Sequence, residues 1–419
     1  MKLLYLGDSP VVATGFGNVS RNLLDGLQKK GVEITVIGIN DRGGYKDPSK
    51  FGYKIYPAIY DDYHDLFGIK RLIATLTGQD PEIHDTFDTL FINFDYFLLD
   101  VIRFEGHSLL EYLQQILPKT TIKRKILYTP VDNDYINPPW LECLRFFDQV
   151  VVPSKYGVEV IKNYDPALAK KTKMIYYGLN AGEFHAIPQS EKDAMRKVLN
   201  IGKKFVVGYV GRNQWRKDLY HLMKIFAKFK IKNPDSYLYI HAHPTTTAHD
   251  GGNLFQMAEM LGLKLGVDYG TPSPDFSENA GFAIGDLNKL YGIMDVFVSA
   301  STGEGFGLPM AEAMLAEVPV IAPDNTTVPE LLGEGRGLIY KTNNTVCFGQ
   351  TDQMRERPLA DIDDAVDKLT FVKQFRNKEA VDKMKKKALE FAKTLTSEKM
   401  VDLFYDTLTP TPEIIIAKH

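Results

Sequence analysis

The chain is poor in cysteine, carries little net charge and has no long apolar segment. Its 419 residues include only Cys143 and Cys347, which fall in different halves, so the sequence predicts no disulfide framework and a reducing compartment. No apolar run approaches the ~20 residues that span a bilayer, and residues 1–6 are too short for a secretory signal. A formal charge of −3 gives no general attraction for nucleic acid or anionic lipid. These features predict a cytoplasmic globular protein.

The length and the strand–helix alternation predict an α/β protein with two domains. A chain of 419 residues fits two domains of roughly 190 residues each. Continuous apolar strands followed by helical stretches indicate parallel, doubly wound sheets covered on both faces. The pattern begins at Leu3–Leu6 and restarts at Lys204–Val210, after a Gly- and Pro-containing linker at 178–188. Two Rossmann-like domains that face each other across a cleft follow, and ligands of such sheets bind outside the carboxyl ends of the strands.

A glycine-rich turn after an apolar strand is the most informative segment. Gly303, Gly305 and Gly307 form a loop in which backbone N–H groups can approach a ligand closely. Pro309 is suited to the first helical position, so we expect a helix from there to about Glu317. The free N–H groups and dipole of a helix start favour an anion. The turn therefore predicts an anion site.

Two glutamates bracket this predicted anion site. Glu304 lies in the loop and Glu312 lies about one turn into the helix. Carboxylates beside a diphosphate would be repelled unless they faced hydroxyl groups. A ligand with phosphates in its middle and polyols at both ends, such as a nucleotide-sugar, satisfies that condition.

A second loop supplies positive charge. Gly211 and Arg212 follow the predicted strand directly, and Lys217 comes five residues after the arginine. Arginine can form two hydrogen bonds to phosphate oxygens, whereas lysine acts as a point charge. We expect both cations to converge on one anion, with Arg216 as a competing contact.

These motifs resemble those of the family-four retaining glycosyltransferases, which belong to the glycosyl transferases group 1 and have the GT-B fold. The resemblance rests on Glu304 and Glu312, separated by seven residues, and on Gly211-Arg212 followed by Lys217. It implies that Arg212 and Lys217 neutralise the departing diphosphate, that Glu304 lies by the transferred sugar and that Glu312 holds the ribose. It also implies no cofactor and no metal, with a UDP- or GDP-linked sugar as donor.

The resemblance extends to domain limits and to further candidate residues. The predicted domains are an acceptor-side domain at 1–185, a donor-binding domain at 186–395 and a C-terminal helix and tail at 396–419 that crosses back to the first domain. The candidate catalytic residues are Arg212, Lys217, Glu304 and Asp132. The candidate donor-binding residues are Gly15, Gly17, Gly211, Gly305, Phe306, Gly307 and Glu312.

Two positions depart from the family pattern. Many relatives have His-Asp after a strand of the first domain, where this chain has Val131-Asp132, so only the acid is assigned. The family usually has glycine after the lysine of the clamp, where this chain has Asp218. The course of that loop and the residue that replaces the family histidine at the Val131 position are therefore open.

Three other kinds of site are also suggested by short motifs in the sequence. Gly15-x-Gly17-x-x-Ser20 with Asp41 imitates a dinucleotide fingerprint, although its turn is long and its third position is serine. Asp132-Asn133-Asp134 imitates a divalent-metal motif, which Arg212 and Lys217 would make redundant. The third is a zinc site, whose ligands would be His241, His243, His249 and Asp250.

The acceptor and the activity have open alternatives. The acceptor could be a glycan, a lipid, a protein or a modified nucleobase, recognised by loops near Gly43–Asp65 and Phe97–Leu117. A viral-type enzyme that glycosylates hydroxymethylated DNA bases is one alternative. A catalytically inactive nucleotide-sugar or glycan-binding protein is another. The oligomeric state is open.

Overall fold

A computed structural model describes residues 1–41, 48–59, 65–245, 251–275 and 284–409. Part of the predicted acceptor loop Gly43–Asp65, the predicted zinc ligands His249 and Asp250, and the end of the predicted tail at 410–419 lie outside these ranges. No helix within the described ranges has both the length and the apolar character to cross a bilayer.

The first half contains a parallel seven-stranded sheet with the order β3-β2-β1-β4-β7-β8-β9. The strands are β1 (Lys2–Asp8), β2 (Glu33–Ile39), β3 (Lys54–Pro57), β4 (Thr89–Asn93), β5 (Arg103–Phe104), β6 (His107–Ser108), β7 (Arg124–Tyr128), β8 (Gln149–Val152) and β9 (Thr172–Met174). The helices are α1 (Gly15–Lys29), α2 (Ile69–Thr77), α3 (Leu98–Val101), α4 (Leu109–Ile116), α5 (Pro138–Arg145), α6 (Lys155–Tyr164) and α7 (Pro166–Lys170). Strands β5 and β6 form a short separate ribbon.

The second half contains a parallel six-stranded sheet with the order β12-β11-β10-β13-β14-β15. The strands are β10 (Phe205–Val210), β11 (Ser236–His241), β12 (Tyr269–Gly270), β13 (Val296–Val298), β14 (Val320–Pro323), β15 (Leu338–Tyr340), β16 (Thr342–Cys347) and β17 (Glu356–Ala360). The helices are α8 (Gln189–Val198), α9 (Leu219–Lys232), α10 (Leu254–Met260), α11 (Ile284–Ile293), α12 (Leu308–Leu315), α13 (Val328–Leu332), α14 (Ile362–Phe375), α15 (Glu379–Ala392) and α16 (Ser397–Leu408). Strands β16 and β17 pair as an antiparallel hairpin.

The order of the central strands determines where a ligand can bind. In each sheet the chain winds outward in both directions from a central pair, β1–β4 in the first and β10–β13 in the second. The loops that leave such a pair diverge, which opens a crevice at the carboxyl ends of the strands. The predicted fold class, two doubly wound α/β units of GT-B type, is confirmed.

The last helix packs on the first half, as predicted. The Phe404 ring is fully buried, with its centroid 5.5 Å from that of Phe91 and 4.7 Å from that of Tyr128. Val401 of α16 packs directly on Gly26 of α1. A Cβ on Gly26 would lie only 2.3 Å from a Val401 methyl carbon, so the contact requires glycine at this position. Helix α16 therefore stabilises the first half although it follows the second half in sequence.

Replacing Phe404 with alanine should reduce the free energy of unfolding of the first half by about 3–5 kcal/mol, because it leaves a cavity between the sheet and α16. Denaturant titration measures the loss. Leu403→Ala on the same helix is the control, since Leu403 is 40% exposed and should cost within about 0.5 kcal/mol. Equal costs for both variants would contradict this packing role.

Candidate active site

A buried ion pair connects the two predicted site loops. Strands β10 and β13 are neighbours, so the loop that carries Lys217 and the loop that carries Glu304 leave the sheet side by side. The Lys217 Nζ atom lies 2.5 Å from Glu304 Oε1 and 2.7 Å from Oε2. Both side chains are only 11% exposed. The structure thus brings together two residues that the sequence places 87 positions apart.

Arg216 extends this charge cluster towards the first half. Its guanidinium donates a hydrogen bond of 3.0 Å to the Gly303 carbonyl and lies 3.6 Å from the Glu304 carboxylate. On its other side, its Nε lies 3.7 Å from the Asp132 carboxylate, which follows β7. Its own carbonyl accepts a hydrogen bond of 2.7 Å from the Thr302 N–H. Arg216 therefore links two carboxylates from opposite halves of the chain.

Burial and mutual attraction shift the pKa values of this pair. Burial, reinforced by the charge of Arg216, lowers the pKa of Lys217 to about 8. Burial opposes ionisation of Glu304, but the charges of Lys217 and Arg216 outweigh it and hold its pKa below the usual value. A negative carboxylate therefore lies between two cations at this point of the cleft.

Glu312 has a different environment. It lies on α12, which begins after Gly307 in the left-handed conformation (φ 99°), a geometry that glycine accommodates. The Tyr291 hydroxyl donates a hydrogen bond of 2.5 Å to the Glu312 carboxylate. Burial raises the pKa of Glu312 to about 7, and the charge of Glu183 adds to the shift. Glu312 therefore titrates near neutral pH.

The charge of Arg212 is felt in the first half of the chain, at the end of β1. It acts on the carboxyl of Asp8, whose pKa is raised by burial in spite of this cation. Asp8 also accepts hydrogen bonds from Thr14, which caps α1, and from Asn40 at 2.9 Å. Lys217 is thus paired with Glu304, and the charge of Arg212 acts on Asp8 at the end of β1.

Asp132 lies in an ion-pair cluster that the sequence does not indicate. Arg355 is 2.9 Å and Arg357 is 3.3 Å from its two carboxylate oxygens. Both arginines also pair with Asp352, and Arg357 is fully buried. Burial works against the ionised form, but the two arginines hold the pKa of Asp132 well below its usual range. They come from the β16–β17 hairpin, a region without any recognisable motif.

The glycines of the site bring the two halves into contact. A Cβ on Gly305 would lie 2.2 Å from the Pro130 side chain, and one on Gly303 would lie 2.3 Å from the Asp132 carbonyl oxygen. We expected these glycines to admit a ligand. In the structure the first-half loop lies where their side chains would be, so these glycines also allow the two halves to come into contact.

The remaining predicted glycines have local roles, and Phe306 is a packing residue. A side chain on Gly17 would clash with the Val12 carbonyl oxygen in the turn before α1. Gly15 lies near Leu308 at the start of α12. A side chain on Gly211 would clash with the Tyr209 hydroxyl. The Phe306 ring is 2% exposed and packs against Tyr176 and Tyr177, which follow β9.

Two residues of the competing chemistries have local hydrogen-bond partners. Asp41 accepts a hydrogen bond of 3.1 Å from Ser9, and Asn133 donates one of 2.8 Å to the Glu356 carbonyl. Burial lowers the pKa of His241 to about 4. Within the described ranges, no three His, Cys, Asp or Glu side chains come together as a metal site.

Comparison with known proteins shows which proteins this chain resembles. Residues 191–346, which include both site loops, match the family model described as "Glycosyl transferases group 1". Over 286 residues the chain is 24% identical to a putative glycosyltransferase, EpsD of Bacillus subtilis, and the match covers 68% of this chain and 65% of that relative, just under two thirds.

Solved structures match over almost the whole chain. Sucrose-phosphate synthase from Thermosynechococcus elongatus superposes with a TM-score of 0.73 at 16% identity, covering 98% of this chain and 100% of the other. Anabaena HepE in complex with UDP-glucose gives 0.69 at 15% identity, with 98% and 100% coverage. The chain therefore has the GT-B fold, and its residues 191–346 are similar to the glycosyl transferases group 1 family.

Replacing Lys217 with methionine should cost about 3–5 kcal/mol of unfolding free energy, because Glu304 loses its closest cation in a buried place. The double variant Lys217→Met with Glu304→Leu should be more stable than Lys217→Met alone, as denaturant titration would show. Lys228→Met is the control, since its pair with Asp363 is exposed (48% and 77%) and should be worth about 0–1 kcal/mol. A double variant no more stable than the single one would contradict the pairing.

Proposed function

We propose that this protein is a retaining, metal-independent glycosyltransferase that moves a sugar from a nucleoside-diphosphate sugar to an acceptor hydroxyl. The buried Lys217–Glu304 pair at the carboxyl ends of β10 and β13 carries the proposal. The group 1 family match over both loops supports the transferase class, and the fold shared with HepE, which was solved with UDP-glucose, supports the donor class.

The charges of the site suit a diphosphate flanked by hydroxyl groups. Arg212, Lys217 and the start of α12 supply positive potential without a metal ion. Glu304 and Glu312 lie beside that potential and would accept hydrogen bonds from the transferred sugar and from the ribose. The donor nucleotide in this proposal is uridine or guanosine diphosphate.

The proposed reaction exchanges one glycosidic bond for another on the same face of the sugar. The bond between the anomeric carbon and the diphosphate oxygen breaks, so negative charge grows on the diphosphate and positive charge on the sugar ring. Arg212 and Lys217 would stabilise the first charge and Glu304 the second. The acceptor oxygen bonds to the anomeric carbon, and its proton passes to the departing phosphate oxygen.

A panel of UDP- and GDP-linked sugars tests the proposal, with release of nucleoside diphosphate measured in the presence of a chelator. We expect slow hydrolysis of one donor. We also expect NMR spectra to show that a transferred sugar keeps its anomeric configuration. Binding without any hydrolysis or transfer would favour the inactive binding protein. Loss of activity on chelation would contradict metal independence.

Arg212→Ala should lower turnover by roughly 10²–10³-fold, as expected for loss of one electrostatic donor to the leaving group. Steady-state kinetics with the hydrolysed donor measures this loss. Arg103→Ala, on an arginine side chain that is 53% exposed and distant from both site loops in sequence, is the control and should leave turnover unchanged. A loss below about fivefold with donor binding intact would remove Arg212 from the proposed site.

Donor affinity should increase with pH through the titration of Glu312. Its pKa of about 7 leaves the carboxyl mostly protonated in acid, and only the carboxylate accepts hydrogen bonds from both ribose hydroxyls. The dissociation constant of UDP- or GDP-glucose should fall about tenfold or more from about pH 5.5 to about pH 7.5. Calorimetric titration measures it, and Glu312→Gln should flatten the profile. The same slope in that variant would exclude Glu312 as its source.

A further inference from the structure

Asp95 is a carboxylate in the cleft that the proposed donor chemistry does not use. It follows β4 at the central crevice of the first sheet, and the adjacent Tyr96 N–H donates a hydrogen bond of 2.9 Å to the Thr129 hydroxyl. The Asp95 side chain is half-buried, and no hydrogen bond joins it to any residue that the structure describes. A carboxylate in this situation is a ready acceptor for a ligand hydroxyl.

The neighbours of Asp95 place it between the two halves. The charges that act on it belong to Asp132 and Asp8 in the first half and to Arg216 and Arg355 in the second. Burial, and then the charge of Asp132, raise the pKa of Asp95 to about 6. Arg216, whose charge acts on Asp95, also contacts Glu304, and Asp95 follows a strand of the first half, so we infer that it lies on the first-half side of the proposed donor site.

A second polar group near Asp95 also lacks a partner. The Tyr177 hydroxyl is buried and has no hydrogen-bond partner within the described residues. The charges of Asp95 and Asp8 both act on it. The Tyr177 ring packs 5.4 Å from Phe306, two residues beyond Glu304. A buried hydroxyl without a partner is unfavourable, and a hydrogen bond to a ligand hydroxyl would remove that cost.

Aromatic side chains line the outer edge of this position. Phe97 follows Asp95 by two residues, and its ring lies 5.6 Å from that of Trp140. Tyr135 packs 6.1 Å from the same indole but remains 48% exposed. The Arg355 guanidinium covers Phe97 at 5.0 Å, so Tyr135 presents the more accessible ring. Exposed aromatic faces pack against the C–H faces of sugar rings.

We propose that Asp95, Tyr177 and Tyr135 form the acceptor subsite and that the acceptor is a neutral pyranose ring of a glycan or glycoside. The inference rests on the proposed function, which it deepens by naming the acceptor class. Asp95 and Tyr177 would bind acceptor hydroxyls, and Tyr135 would pack on the ring.

Methyl glycosides of glucose, galactose and mannose are the probes, with Asp95→Asn, Tyr177→Phe and Tyr135→Ala in the full chain. We expect at least one glycoside to accept the sugar or to suppress donor hydrolysis. Asp95→Asn should lower transfer to it by about tenfold or more, the loss expected of a hydrogen bond to a charged group. Donor hydrolysis without acceptor should stay within about twofold of the unmodified chain. Glu142→Gln, on an exposed carboxylate of α5, is the control and should change neither rate.

Saturation-transfer NMR of the same glycosides separates this inference from the proposed function, because it needs no catalysis. Glycoside signals that weaken in the Asp95→Asn variant support the subsite even if the chain hydrolyses no donor, an outcome that would contradict only the proposed function. The subsite is overturned if no glycoside binds, accepts sugar or suppresses hydrolysis. It is equally overturned if Asp95→Asn lowers hydrolysis as much as transfer, or if only hydroxymethylated oligonucleotides or diacylglycerol vesicles accept the sugar.

Discussion

The ion pair between Lys217 and Glu304 is the contact on which the arrangement of the site depends. Two charges that are almost removed from water persist only when each has a partner of opposite sign in good geometry. That requirement holds the loop after β10 against the loop after β13 and directs the neighbouring Arg216 towards Asp132. The pair thus determines where positive charge is available in the cleft and which carboxylate lies beside it.

A second constraint comes from the β16–β17 hairpin. Arg355 and Arg357 extend from it to Asp132, and the Asn133 side chain bonds to its backbone. Gly303 and Gly305, in the loop after β13, also let the first-half loop at Pro130 and Asp132 approach closely. The two halves therefore meet through buried charges and glycine contacts next to the proposed reaction centre. A substitution of Arg357 would therefore change both the charge around Asp132 and the contact with Gly303.

The sequence predicts the fold well because both sheets are built from continuous buried runs such as β1 and β10, whose apolar composition leaves few alternatives. Glu304 and Glu312 are detectable because a glycine turn and a helix start fix their spacing. Arg355 and Asp95 are not, since tertiary structure alone brings the hairpin and the end of β4 to the cleft. The glycines at 303 and 305 stand out in the sequence, but their contact with Pro130 and Asp132 is not foreseeable from it, because it also depends on tertiary structure. The roles assigned to the site residues remain predictions.

Crystallography of the chain with the tightest-binding donor from the UDP- and GDP-sugar panel tests the central claim most directly. We expect the diphosphate to lie within hydrogen-bonding distance of Arg212 and Lys217, with the ribose on Glu312 and the sugar beside Glu304. Density for the nucleotide-sugar anywhere else, or these four side chains directed away from it, would contradict the proposed site.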